Sequence, residues 1–426
     1  MRNKPLFGIL FLAMLCSCKT ERIVENHLKQ DVEVLADDKL KGRATGTEGE
    51  VLAAAHISDR FKELGILPKG TNGYLQAFTF TPQTDPHAET VYSEGSDKET
   101  ITGRNVIGYI DNNAENTIVI GAHYDHLGMG DEGSLYRGDP MVHNGADDNA
   151  SGVAVMLHLA DQLKDRNTNN NYLFIAFSGE EMGLLGSNYF VKNPTIDITK
   201  MNYMINMDMV GRLKKNKTLA IYGTGTSPVW QETIQKANVK DTIEEANTNN
   251  RFSLKLRESG VGPSDHTSFY LQDIPVLHLF TGQHVDYHKP SDDFEKLNYE
   301  GMLQISNYIY NVISEVNSKG KIAFTKTVNE SDDAPRFKVT LGVIPDYLFD
   351  GKGMRIDGIS ENRPAQKAGL QKGDIVIQLG EHEVTEINSY MKALSTFEYG
   401  DKTIVKVNRN GEVVEAEITF FDNKKK

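Results

Sequence analysis

At 426 residues, the chain has room for two or three domains of roughly 150 residues each. Hydrophobic residues at 39% and charged residues at 25% exclude a disordered, collagen-like or multi-pass membrane protein. A formal charge of −13 argues against nucleic-acid binding and against a basic attraction to anionic lipid. The two cysteines, Cys16 and Cys18, lie near the N-terminus, so the body has no disulfide framework and no thiolate cluster. Any metal there must be held by His, Asp and Glu.

In chain order, Arg2 and Lys4 precede an apolar stretch, Leu6 to Leu15. It is too short to span a bilayer but suits a signal h-region. Leu15-Cys16-Ser17-Cys18 resembles a bacterial lipobox. The resemblance implies a signal peptide over 1–18, lipidation of Cys18 and a lipid-anchored protein of the cell envelope.

From about residue 25 to 315, strand-like runs alternate with helical patterns, as in an α/β domain. Val51 to Leu64 has helical spacing and stops at Gly65, a C-cap signal. Strands are expected at Thr117–Gly121, Tyr172–Phe177, Asn202–Met207 and Pro275–Phe280, and helices at Val153–Leu163 and Tyr299–Val316. Thr79 to Gly103 is polar and reads as hairpins or loops. Expected boundaries are 19–317 for this domain, 318–333 for a polar linker and 334–423 for a strand-rich domain. The latter carries Asn410-Gly411 as a hairpin turn.

Polar residues collect at the ends of the expected strands, where open α/β sheets bind ligands. The segments are Gly121–His126, Gly145–Gly152, Phe177–Gly183, Asn206–Gly211 and Tyr287–Asp292. Two metal ions sharing one bridging carboxylate need five protein donors. His123, Asp148, Glu181, Asp208 and His288 supply that number. In the adjacent pair Glu180-Glu181, one carboxylate can bind metal while the other faces the water as a base. Each segment alone has a bland reading, such as acidic residues favouring a helix N-terminus. All five in this order make that reading improbable.

These segments resemble the M28 family of zinc metallopeptidases, over about residues 25 to 317. The resemblance implies a mostly parallel mixed sheet flanked by helices and two Zn2+ per chain. It implies that His123 and Asp208 complete one zinc, that Glu181 and His288 complete the other, and that Asp148 bridges them. Asp147 is a less favoured bridge. Glu180 takes the general-base role, Asp125 orients His123, and Tyr287 steadies the oxyanion. Ser264-Asp265-His266 is expected to form pocket wall. The implied activity is an aminopeptidase acting on peptides with a free N-terminus.

The last part of the chain resembles a PDZ domain. Thr340-Leu341-Gly342-Val343-Ile344 is similar to its carboxylate-binding loop, so Leu341, Gly342, Val343 and Ile344 are candidate peptide contacts. Glu386 to Phe397 is the expected groove wall. A protein C-terminus is the implied partner. Two other functions fit less well. A glutaminyl cyclase of similar fold would hold one zinc in a tryptophan-rich pocket, whereas this chain has a single tryptophan, Trp230. A non-catalytic peptide-binding surface lipoprotein would be expected to have lost a ligand or Glu180.

Overall fold

The computed structural model describes residues 25–82, 92, 100–130, 133–239, 251–327, 339–346, 349, 351–360 and 362–421. The segment around Cys18 lies outside them. Among the described residues, no helix is long and apolar enough to cross a membrane.

The first domain opens with helix α1 (25–35) and a 3-10 turn, Asp38–Arg43. Helix α2 (Glu48–Glu63) follows, capped by the Thr47 side chain, which accepts from the Glu50 amide. Gly65, at φ +75°, takes the chain out of the helix. Strands β1 (Leu67–Pro68), β2 (Leu75–Phe80) and β3 (Ile101–Ile110) lead into β4 (Thr117–His123). Then come α3 (Gly152–Leu163), β5 (Asn171–Phe177), α4 (Leu185–Lys192), β6 (Met201–Met207), β7 (Thr218–Tyr222) and α5 (Trp230–Ala237). The domain closes with β8 (Ser253–Leu256), α6 (His266–Tyr270), β9 (Val276–Phe280) and α7 (Tyr299–Val316).

These strands form one nine-stranded mixed sheet ordered β1-β3-β5-β4-β6-β9-β7-β8, with β2 pairing β3. The centre, β5-β4-β6-β9, is parallel. Its strands are buried along their whole length. That burial explains their near-continuous apolar sequences. Alternate side chains serve opposite faces. Ile118, Ile120, Phe174 and Ile205 join the core under α2, α3, α5 and α7. Val119, Leu173, Ile175 and Met204 join a second core with Phe190 of α4 and Phe269 of α6. The result is a three-layer sandwich in which the sheet is clamped on both faces. After α7, Ile322 is buried, and its amide donates to Asn202 Oδ1 at 2.9 Å.

Of the region from Thr79 to Gly103, expected to form hairpins or loops, the described ends belong to an antiparallel pair. β2 and β3 pair antiparallel from Leu75↔Val106 to Phe80↔Ile101. The polar residues in β3 are accommodated by specific bonds. Asn105 donates to Gln76 Oε1 (3.1 Å) and to the Gly186 carbonyl (2.9 Å), so its burial is compensated.

The second domain is a six-stranded sheet built from β10 (Val343–Pro345), β11 (Met354–Ile359), β12 (Ile375–Leu379), β13 (His382–Glu383), β14 (Lys402–Arg409) and β15 (Glu412–Thr419). Helices α8 (Pro364–Lys367) and α9 (Ile387–Leu394) accompany it. It has its own core, including Leu341, Ile356, Val376, Leu394 and Val405. Asn410 and Gly411 both take positive φ (54° and 94°) and close the β14–β15 hairpin. Asp374, with its side chain only 1% exposed, accepts from Arg409 Nε and Nη2, both at 2.7 Å.

Burial raises the Asp374 pKa, but the Arg409 bonds more than reverse this and hold it below its ordinary value of 3.8. A depressed carboxyl pKa stabilises the fold fully above the unfolded value, and the stabilisation fades as pH falls through the folded one. Amide exchange in β12 and β14, taken relative to its intrinsic rate at each pH, should therefore become faster as pH drops below about 4. In Asp374→Asn it should be faster at neutral pH and lack that acid step.

Candidate metal centre

The carboxyl ends of the parallel strands carry the polar residues. His123 ends β4, Glu180 and Glu181 follow β5, Asp208 follows β6, and His288 lies in the loop after β9. Asp148 arrives from the turn that opens α3. All five expected donors meet, and Glu180 joins them. A pocket of about 80 Å³ is lined by Asp148, Glu180, Glu181, Asp208, Tyr287 and His288, among others.

Each histidine is anchored through one ring nitrogen and offers the other. His123 Nδ1 lies 3.2 Å from the Asp125 carbonyl and His288 Nδ1 3.0 Å from the Gly133 carbonyl. This arrangement turns both Nε2 atoms toward the pocket. His123 Nε2 is 3.3 Å from Asp148 Oδ1 and 3.4 Å from Asp208 Oδ1. His288 Nε2 is 3.2 Å from Asp148 Oδ2 and 3.3 Å from Glu181 Oε2. A single N–H points at one acceptor, yet here each nitrogen has two at nearly equal range. Donors about 2.0 Å from a tetrahedral zinc lie roughly 3.3 Å from one another, so the set fits metal ions between them. Asp148 presents one oxygen to each histidine, the geometry of a bridge.

Asp147 is used differently. Its Oδ1 accepts from the Gly211 amide (2.6 Å) and Ser151 Oγ (3.2 Å), and its Oδ2 lies 3.0 Å from His284 Nε2. It ties loops together behind the pocket. Asp125 also acts behind the donors. Its side chain accepts from the amides of Glu180 (3.1 Å) and Glu181 (3.4 Å), which fixes the acidic pair, while its carbonyl rather than its carboxylate is the nearer partner of His123. Tyr287 lines the pocket and stacks on His288, with ring centroids 3.8 Å apart.

Electrostatics follow from crowding in a buried place. Burial would lower the pKa of His123, but Glu180, Asp208 and the hydrogen-bonding carboxylates more than reverse it. Glu181 and Asp148 do the same for His288. Burial, reinforced by Asp208, Glu181 and Asp265, drives Glu180 well above its ordinary value against the pull of His123. Glu181 is instead drawn down to about 2, because His288 and His126 outweigh its burial.

Two residues were not singled out by sequence reasoning. His126 is buried, and its Nδ1 lies 2.8 Å from Glu181 Oε1, the oxygen not facing His288. Donors gather within 4.8 Å as His123, Glu180 and Asp208, and as His126, Asp148 and Glu181. The second is Arg43, fully buried. Its guanidinium donates to the carbonyls of Tyr124 (2.7 Å), Leu35 (2.5 Å), Asn144 (2.6 Å) and Gly145 (3.0 Å). It therefore pins both the His123–Asp125 segment and the turn leading to Asp148. Burial lowers its pKa to about 10 despite nearby Asp125, Asp148, Asp292 and Glu181, so it remains charged near neutrality. The Ser264-Asp265-His266 segment is buried beside the pocket. Ser264 accepts from the Asn206 amide group (2.8 Å), and His266 stacks flat on pocket-lining His278, with centroids 4.4 Å apart.

Residues 105–313 match the model of peptidase family M28, and residues 325–420 match the PDZ domain model. The chain carries an M28 peptidase domain followed by a PDZ domain. A probable leucine aminopeptidase of Trichophyton verrucosum is 26% identical over 297 residues, covering 62% of this chain and 73% of the relative. Other curated relatives are spanned over less than half their own length, 46% and 39%. Among solved structures, a zinc aminopeptidase from Bacillus subtilis superposes with a TM-score of 0.52 at 18% identity, over 71% of this chain and 98% of that one. A glutaminyl cyclase from Bacteroides thetaiotaomicron gives 0.54 at 18% identity, over 68% and 97%. At these identities the structures report the shared fold.

Arg43→Met should leave four carbonyls and several carboxylates uncompensated. A loss of about 3–5 kcal/mol in denaturant unfolding is expected. His126→Ala should weaken metal retention by about 10–100-fold in chelator competition, because Glu181 loses its brace.

Proposed function

We propose that the chain is a zinc-dependent aminopeptidase. The observation that carries this reading is the bracketing of two points by His123, Asp148 and Asp208 and by His288, Asp148 and Glu181. The pocket carboxylates Asp148, Glu180, Glu181 and Asp208 also carry enough negative charge to balance two divalent ions. In this proposal His123 and Asp208 hold one zinc, Glu181 and His288 hold the other, and Asp148 bridges. Bound zinc would supply the Lewis acidity that activates water and polarises the scissile carbonyl.

The chain's own groups do the rest. Glu180 Oε2 stands 4.0 Å from His123 Nε2, outside the 3.2–3.4 Å spacing of the proposed ligands. That place beside the ligands suits a base that accepts a proton from the attacking water and returns it to the leaving amine. The Tyr287 hydroxyl is assigned to the developing oxyanion. A free substrate amine is held by a pocket carboxylate or by the metal pair, which restricts cleavage to the first residue.

The cyclase fold is shared, but its tryptophan-lined pocket is not reproduced. Trp230 is buried against Tyr203, with centroids 5.1 Å apart, and does not line the pocket. The lipobox-like segment supports export and a lipid anchor at Cys18 as part of the same proposal. The PDZ loop supports capture of a peptide C-terminus.

A peptide with a free amine should release its first residue, and the N-acetylated peptide should not. Chelation should abolish release and added zinc restore it. Glu180→Gln should bind zinc normally yet lose about 10²–10⁴-fold in kcat. Wild-type turnover in that variant refutes the assignment.

A further inference from the structure

The catalytic pocket does not end at the peptidase domain. A cleft of about 550 Å³ lies between the two domains, and Tyr222 and Pro263 line both it and the catalytic pocket. From the peptidase side it is walled by Arg257, and from the PDZ side by Phe349, Ile387 and Met391. Arg257 Nη2 donates to the Phe349 carbonyl at 3.2 Å, a bond that joins the two walls.

The PDZ fold sets the direction of anything bound there. β10 is an edge strand whose sheet neighbour is β11. The loop at its beginning is held by bonds from the Ala365 amide to the Leu341 carbonyl (2.9 Å) and from the Ser360 amide to the Gly342 carbonyl (2.8 Å). A peptide that adds to this edge with its carboxylate at Leu341–Gly342 must run antiparallel to β10. Its amino end then passes Pro345 and Asp346 and enters the cleft between Phe349 and α9. The far side of that cleft is the carboxylate-lined pocket, while Arg257 and Arg355 stand on the cleft side. Arg355 is paired there with Asp346.

We propose that the cleft is a substrate channel in which one peptide is held at both ends, its C-terminus on the β10 edge and its N-terminus at the catalytic carboxylates. This deepens, and rests on, the aminopeptidase reading. The substrate class is a linear peptide with both termini free and long enough to bridge the two sites. Joining two weak contacts through one molecule raises the effective concentration of each end at its site. Shorter peptides reach only the pocket, and blocking the carboxylate removes one hold.

The test uses the full chain and a ladder of peptides sharing one N-terminal residue and growing one residue at a time, each as free acid and as C-terminal amide. Binding is read on Glu180→Gln by anisotropy and release on the wild type. Beyond a threshold length the acid should bind at least about tenfold more tightly than the amide and show a correspondingly lower KM, with dipeptides indifferent. Ile387→Lys should erase the difference while dipeptide release is unchanged. Arg257→Glu, on the peptidase wall, should reduce it without altering the PDZ core. Equal handling of acid and amide at every length, with dipeptides still cleaved, overturns the channel and spares the peptidase. Length- and carboxylate-dependent binding without release from any peptide supports the channel and removes the peptidase reading.

Discussion

The buried concentration of carboxylates is the constraint around which this molecule is built. Asp125, Asp147, Asp148, Asp265 and Asp292 are all buried within one region, and Glu180, Glu181 and Asp208 border it. Charges taken out of water cost several kcal/mol each unless they are compensated. The compensation comes in layers. Arg43 supplies a permanent cation from below. Backbone amides serve Asp125, Asp147 and Asp292: Asp292 Oδ2 accepts from the amides of Asp147 (3.0 Å) and Asp148 (3.1 Å). Where burial and Asp147 still dominate over His284, Asp292 rises to about 6. The donors grouped around His123 and His288 are left for a metal to compensate, in the reading proposed above.

Such a site needs a rigid frame, because donor spacing of a few tenths of an ångström decides whether an ion is held. The frame is the pair of cores on either face of the parallel strands. Each ligand-bearing strand is packed on both sides, so its end is fixed in position and direction. Around the candidate donors stand Asp125, Asp147 and the Asn206–Ser264 contact, which hold the donor-bearing loops in place, while His126 braces Glu181.

Much of this was legible from residues. The central strands announced themselves because strands buried on both faces need unbroken apolar runs, and the site residues stood out as polar groups at their ends. β3 was not legible, since Gly103, Arg104, Asn105 and Gly108 break the pattern; the bonds of Asn105 to Gln76 and Gly186 compensate its burial, and Arg104 is held by Glu50. Arg43 sits in Lys-Gly-Arg, which reads as a solvated turn, and nothing local shows that its guanidinium reaches carbonyls of residues 101 and 102 positions away. His126 had a weak signal. It lies three residues after His123, and its role depends on which oxygen of Glu181 it meets, a matter of tertiary placement. The turn before α3 likewise sets which way Asp147 and Asp148 face, Asp147 toward Gly211 and His284 and Asp148 toward His123 and His288.

The scattering of the donors along the chain has a further consequence. His123 and His288 are 165 positions apart in the chain, and no two of the five proposed ligands lie within one helical turn of each other. An unfolded chain therefore offers no local nest in which a metal can be captured early, unlike short motifs that fold around their ion. Selection among divalent metals, which simple donor affinity would hand to copper, is deferred until the sheet has closed. The metal supply that matters is then the one surrounding the protein when folding is finished, rather than the one in which the polypeptide was made.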